Sequence, residues 1–549
     1  MQTPLQKARP MAEIPTDRLS LVVGVTGHRD IAADDEPRLR AAFGGILERI
    51  GRMCPHTPLL VLSGLAAGAD SLAAEEAIAR NIPVMACLPM PVEEYERDFS
   101  PDELARFRTL LAACARVTLT SPTRQNGYVA TGLFIAQYAH LLVAFWDEKT
   151  SRGRGGTADV IEMRLEGRRR TADVEEIPYL PDVGPVEVIV TPRAGAPRPP
   201  NPYAVKPRYP KIFARGRTVA RNFDSILAHI DAYNADLALV PAHSAEQPTE
   251  ALMHRTDAVA NLLQKRTNAF QMMLFAIAFI AAAAQVIGHV PPLAKVVGLG
   301  LAFLAYTVAR KNDYENRYQD YRAIAEGLRV QGAWYCAGVQ HRLVDNEYLR
   351  MQEGELQWIR MALRFFYLLC CEDRMHPDAS CDHPICQDWV RSQWRYYRRA
   401  SRREAGMRRW MDRVTIAAVA VGGVCFVFAA IRLGSSFPCA FFSSYCRSGF
   451  SPKDFEVLQN LLSVPIALAA VLAAIFAHYQ EKQNLLGNAR RYERMFAVFD
   501  RARRDLLKIA KGKSGDPLEI IYELGRAALV EHADWLIMRR ERPMKVVIV

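Results

Sequence analysis

The sequence predicts an α/β, Rossmann-like, doubly wound parallel sheet at its amino end, followed by an α-helical membrane region with four transmembrane helices in two hairpins. Three observations predict this. Over residues 20–193, short apolar strands alternate with helical patterns of 10–15 residues, which implies a parallel sheet covered on both faces. The second half carries four apolar runs of 17 to 20 residues. At about 1.5 Å rise per residue, each spans roughly the 30 Å hydrocarbon core of a bilayer. Basic residues crowd the same ends of both apolar pairs, as cytoplasmic flanks do.

The elements follow in order. After a tail over residues 1–17, Leu21–Val25 reads as a strand and Glu36–Gly51 as an amphipathic helix. The apolar strands Leu59–Leu62 and Val84–Leu88 flank the Ala-rich helix Ala69–Asn81. A helix from Pro101 to near Ala115, the strand Val117–Leu119 and a helix over Tyr128–Ala139 come next. The strand Leu141–Phe145, the helix Thr157–Leu165 and the strand Val186–Val190 complete a domain over residues 18–195. Ala194–Pro210 holds six prolines and reads as a stiff linker, with soluble helices over Lys211–Leu237 and Ala251–Thr267.

The apolar runs are Ala269–Ile287, Leu293–Ala309, Val414–Ile431 and Leu458–Ala477. Buried core helices seldom run so far without charge, which sets aside the soluble alternative. Lys265, Arg266, Arg310 and Lys311 flank the first pair, and nine Arg between Arg391 and Arg413 precede the second. Both hairpins therefore enter from the cytoplasm, where both chain termini and a connector over 346–410 are expected. Cys439 and Cys446 fall in the outer loop, where a disulfide is open. Two units, 251–345 and 411–549, each place a hairpin before a long polar helix (Asn312–Gly332 and Asn488–Lys508), a loose internal duplication.

Seventy basic against 59 acidic residues give a net charge of +11. The densest basic run directly precedes an apolar stretch, which favours membrane topology over nucleic acid. Eleven scattered cysteines with no CxxC pair exclude a disulfide scaffold or zinc ribbon. Cys370, Cys371, His376, Cys381, His383 and Cys386 match no strong zinc spacing, so no metal is expected. The proline-broken amino terminus lacks a cleaved-signal pattern.

Three glycine-bearing loops follow strands of the amino-terminal domain. Gly24-Val25-Thr26-Gly27-His28-Arg29 closes the first strand, with Thr26 able to donate a hydroxyl and Arg29 able to pair an anion. Ser63-Gly64-Leu65-Ala66-Ala67-Gly68-Ala69-Asp70 leads into a helix, whose N-terminus suits an anion. Asp70 can serve as a ribose ligand or as a plain helix cap. Arg154-Gly155-Gly156-Thr157 opens the next such helix. All three loops lie at the sheet's carboxyl edge, where doubly wound folds bind ligands. A phosphate-bearing nucleotide is expected there, held by these residues and with no catalytic residue assigned.

These loops resemble the SLOG superfamily, which includes the LOG phosphoribohydrolases, DprA and the sensor region of TRPM channels. The membrane half resembles SLATT domains, two-helix effector modules; Glu531-His532-Ala533-Asp534-Trp535 is similar to their tail. The resemblance implies a nucleotide sensor of an anti-phage conflict system, acting as a homo-oligomeric pore in the inner membrane. LOG enzymes carry a Glu three residues after the loop threonine. Here that position is Val160, and Glu162 comes five after, so the resemblance implies binding rather than hydrolysis. A membrane-anchored nucleotide-cleaving enzyme is the alternative. A transporter is disfavoured because no carboxylate lies inside an apolar run.

Overall fold

The computed structural model describes residues 13–119, 121–149, 155–166, 183–210, 216–242, 248–287, 292–339, 344, 348–349, 356–371, 384–436 and 452–541. The chain forms two compact units, residues 1–259 with 323–379 and residues 260–322 with 380–549.

The first unit is built on a seven-stranded sheet. Its strands are β1 (Leu21–Gly27), β2 (Leu59–Ser63), β3 (Val84–Leu88), β4 (Ala115–Thr118), β5 (Leu141–Trp146), β6 (Val186–Val190) and β7 (Val205–Arg208). The spatial order is β4-β3-β2-β1-β5-β6-β7. Every neighbouring pair is parallel except β6 and β7. Strands β1, β2, β3, β5 and β6 are buried almost throughout, as expected for a parallel sheet with both faces covered. The doubly wound expectation therefore holds for six strands, with an antiparallel edge strand added.

That edge strand corrects the Pro-rich stretch Ala194–Pro210, which is not wholly a linker. Val205–Arg208 pairs with β6, with Pro207 opposite Glu187. A proline is tolerated there because β7 is an edge, where one ladder face needs no N–H. The proline count outweighed a pairing signal of only four residues.

The covering helices are α1 (Glu36–Met53), α2 (Ala69–Ala79), α3 (Val92–Tyr95), α4 (Pro101–Leu111), α5 (Arg124–Tyr138) and α6 (Thr157–Glu166). On α1 the buried residues Leu39, Phe43, Ile46, Leu47 and Ile50 make the stripe that a 3.6-residue period predicts. Helix α5 approaches β1 closely: a Cβ at Gly24 would lie 2.7 Å from the Ala139 Cβ. Two further helices join this unit, α7 (Gly216–Leu237) and, later in the chain, Gln357–Cys371. Asn234 of α7 donates to the Leu19 carbonyl and accepts from the Leu19 amide, closing the edge of the chain onto the sheet.

The remaining long helices are α8 (Pro248–Ile287), α9 (Pro292–Asn312), α10 (Tyr314–Ala337), α11 (Gln357–Cys371), α12 (Pro384–Ser436), α13 (Pro452–Gln483), α14 (Leu485–Ile509) and α15 (Pro517–Arg540). The chain passes from the first unit to the second within α8 and returns within α10. Inside the second unit, α12 and α14 interlock through aromatic side chains. The Trp394 indole donates to Asp500 at 3.0 Å, and Tyr397 and Trp389 both pack on Phe499. Arg491 of α14 donates to the Glu531 carboxylate of α15 at 2.6 Å.

Among the described residues, two helices are long and apolar enough to cross a membrane, Gln387–Val427 and Val464–Ile509. They correspond to the second expected hairpin. The sequence predicts four spans, and this count is two. In the first hairpin, the side chains of residues 278, 281–292, 294–295, 299, 302, 305–306 and 309 lie outside those described. Helices α9 and α12 leave large apolar side chains exposed, among them Leu293 at 75% and Ile416 at 68%. Such patches on a soluble surface would be costly.

Candidate functional site

In the order β4-β3-β2-β1-β5-β6-β7, the chain reverses its winding between β1 and β5. Loops leave these two strands in opposite directions, which opens a crevice at their carboxyl ends. There, Thr26 and Gly27 of β1 lie level with Ala144 and Phe145 of β5. A cavity of about 500 Å³ occupies this place. Its lining draws Thr26, Gly27, His28 and Arg29 from the first loop and Gly64, Ala66 and Asp70 from the second. Gly155, Gly156 and Thr157 come from the third, so one cavity brings all three glycine loops together.

The loops are braced against each other. The Ala69 amide donates to the His28 carbonyl at 3.0 Å, tying the start of α2 to the β1 loop. Gly68 has φ +82°, and a Cβ there would lie 2.4 Å from the Arg29 carbonyl oxygen and 2.6 Å from that of His28. Only glycine fits both that backbone angle and that approach. His28 joins the same loop to β5: its Nε2 lies 3.1 Å from the Asp147 amide nitrogen and 3.1 Å from the Asp147 carboxylate. Burial holds the His28 imidazole below its usual value, against the pull of Asp147. Both the amide and the carboxylate of Asp147 thus face this one ring nitrogen. In the third loop, the Gly155 amide donates to Asp159 at 3.0 Å, which fixes the turn that starts α6.

Cationic and acidic groups share the cavity wall. Arg29 sits over the Tyr128 ring at 5.4 Å, and the Tyr128 hydroxyl bonds Asp98. Arg193 pairs with Asp30 at 2.8 Å and reaches Asp147 at 3.6 Å. Burial pushes against ionisation of Asp147, but the Lys149 amide, His28 and Arg193 together hold it below the usual carboxylate range. Asp70 differs. Burial pushes its carboxyl up to about 7, although Arg29 and the Ala66 and Gly64 amides pull the other way. The first turn of α6 begins at Gly156 and Thr157 on the cavity wall, and first-turn amides, which have no partner within their own helix, favour an anion.

A family model described as a protein of unknown function (DUF4231) matches residues 252–341. That segment runs over α8, α9 and α10, outside the sheet and its cavity. The search of curated proteins gave no match.

Of the residues singled out from the sequence, Thr26, Gly27, His28, Arg29, Gly64, Asp70, Gly155, Gly156 and Thr157 line the cavity. Gly24, Ser63 and Gly68 do not. Gly24 serves the contact of α5 with β1, and Gly68 the contact between loops. The Ser63 hydroxyl is spent on the main chain, donating to the Asp70 carbonyl and accepting the Leu65 amide. These bonds brace the β2 loop against the start of α2. Arg154 lies outside the described residues, as do Cys439, Cys446 and His376. No metal-holding cluster occurs among the described residues.

Sequence reasoning missed Tyr95, Gln125, Tyr128, Thr131, Asp147, Lys149 and Arg193. Tyr128, Thr131, Gly132 and Ile135 are one face of α5 at spacings of three, four and seven. That period was visible, but it reads equally as a core stripe. Asp147 follows β5 directly, and Arg193 comes three residues after β6, both at the carboxyl edge.

Proposed function

We propose that the amino-terminal domain binds a phosphate-bearing nucleotide derivative at the carboxyl edge of its sheet, and that the bound state governs a homo-oligomeric pore formed by the helical region. The observation that carries this is the single cavity at the β1/β5 reversal, walled by all three glycine loops and by the α6 N-terminus. Arg29, the amides near Gly156 and the Thr157 hydroxyl supply phosphate contacts. Tyr128 offers an aromatic face to a base.

On this reading the helical region crosses the inner membrane four times, with both termini in the cytoplasm. The two apolar helices and the exposed apolar side chains of α9 and α12 support a membrane location. The resemblance to SLOG and SLATT domains supports a role in anti-phage defence. A narrow wall of Leu and Ala within one chain would dewet. Several copies together would line the pore.

The test pairs a thermal-shift screen with a leakage assay. Purified protein in detergent is screened against mononucleotides, cyclic dinucleotides and ADP-ribose derivatives, because a bound ligand raises stability by mass action. Hits are then added to dye-filled liposomes carrying the protein. Leakage that requires both a hit and Arg29 supports the reading. Ligand cleavage without leakage would replace it with the enzyme. Labelling of Cys370 or Cys371 by an impermeant reagent in intact cells would refute the four-span topology.

A further inference from the structure

The outward face of α15 carries a charge pattern that inverts about its own centre. The buried residues of this helix, among them Ile521, Ala528, His532 and Leu536, form one stripe. On the opposite face, four residues apart, stand Arg526, Val530 and Asp534, all exposed. Val530 is 51% exposed, with a cation one turn before it and a carboxylate one turn after. Beside this row a hollow of about 510 Å³ opens between α14 and α15. Met495, Val530 and Met538 give its lining an apolar part, and Arg494, Arg526 and Asp534 a charged one.

Within one chain this row does little. Arg526 lies 3.6 Å from Glu523 of its own helix, and both side chains are about half exposed, so the pair contributes little to stability. Between two copies the same row is self-complementary. When α15 of a second chain lies antiparallel, Val530 against Val530, each Arg526 faces the other's Asp534. The twofold axis makes that pair twice. A parallel alignment would set Arg on Arg and Asp on Asp. Crossing helices part within a few turns, so Glu519, eleven residues from Val530, drops out of the contact. The apolar centre with methionines beside it and charges at the margin matches the make-up of a protein interface. A polyanion or an anionic lipid surface would meet Glu523 and Asp534, so the mixed charge selects protein, and its inversion about Val530 selects a second copy.

We propose that α15 is the surface through which two copies of this chain associate, antiparallel and with Val530 at the twofold axis. This rests on the homo-oligomeric reading above and gives it a contact. A twofold contact is closed, so copies joined through it come in pairs, and a pore in which every copy uses this face has an even number of subunits.

The test is oxidative cross-linking of the full chain in detergent, with the parent and its native cysteines as background. Val530→Cys should give a dimer band well above that of the parent. Glu519→Cys should not, since in the antiparallel pair its two copies stand about 33 Å apart at 1.5 Å rise per residue. Arg526→Asp and Asp534→Arg should each lower the Val530→Cys yield at least about threefold, because each reversal brings like charges together twice. Combined, they should restore it. All four positions are exposed, so the fold survives these substitutions, and light scattering reports the oligomer independently. A parent that is monomeric by light scattering would overturn both this interface and the homo-oligomeric pore. An oligomer in which Val530→Cys stays at background would overturn the interface alone. Equal cross-linking at position 519, or a double reversal no better than the single ones, would do the same.

Discussion

Replacing Gly68 with alanine should separate the loops that form the cavity. Gly68 has φ +82° and ψ −121°, a region nearly closed to residues with a Cβ. Occupying such a region costs on the order of 1–3 kcal/mol. The new methyl would also lie 2.4 and 2.6 Å from two carbonyl oxygens, those of Arg29 and His28. Those atoms are main chain and cannot rotate away, so the β1 loop must move, at a further cost of about 1–3 kcal/mol. The combined loss is at least about 2 kcal/mol. At roughly 2–4 °C per kcal/mol for a domain of this size, the melting temperature should fall by about 4–8 °C or more. The assay is thermal unfolding in detergent, followed through intrinsic fluorescence. Gly45→Ala on α1 is the control. Nothing lies within 4 Å of a Cβ there, so relief of glycine's helix penalty should leave stability unchanged or raised by up to about 1 kcal/mol. Equal melting temperatures for Gly68→Ala and the parent, with nucleotide binding intact, would refute the tight apposition of the two loops.

Three further outcomes are expected. Asp70 has a folded pKa of about 7, raised by burial from 3.8, so the folded state holds its proton over that interval and the unfolded state does not. Its contribution to stability should be present at low pH and lost as pH rises through about 7. Relative to Asp70→Asn, the parent's melting temperature should decline between pH 5 and 8, and a flat difference would contradict this. His140 behaves oppositely. It accepts the Val22 amide and contacts the Met361 carbonyl, and burial holds its pKa down at about 4. Stability should fall as pH drops from about 6.5 towards 4, and His140→Gln should flatten that slope in a pH series of unfolding curves. Arg29→Ala should weaken nucleotide binding by about 10- to 100-fold, the equivalent of one charge-assisted hydrogen bond of roughly 1.5–3 kcal/mol. Unchanged affinity in a folded variant would remove Arg29 from the site.

The sequence by itself determined the strands and their succession, because parallel strands buried on both faces must be continuous apolar runs. Val84–Leu88 and Val186–Val190 stand in the structure at the limits their hydrophobicity sets. It also determined that three glycine loops would meet, since successive parallel strands send their carboxyl ends to one edge. The apolar runs of the helical half were legible for the same reason of length and composition. Tertiary structure alone decided the rest. Val205–Arg208 became a strand because β6 offered an open edge, a partner that no local pattern announces. Ser63 turned inward to its own main chain, while Asp70, seven residues later, turned to the cavity. The sequence could not separate those outcomes, because either residue type can cap, brace or bind. Arg193, after β6, meets Asp147, after the neighbouring β5, at the carboxyl edge of the sheet. Thr131 reaches the cavity from a helix face that composition marks only as apolar. Local pattern fixes which face of an element is buried; only the packing of one element on another fixes what that face touches.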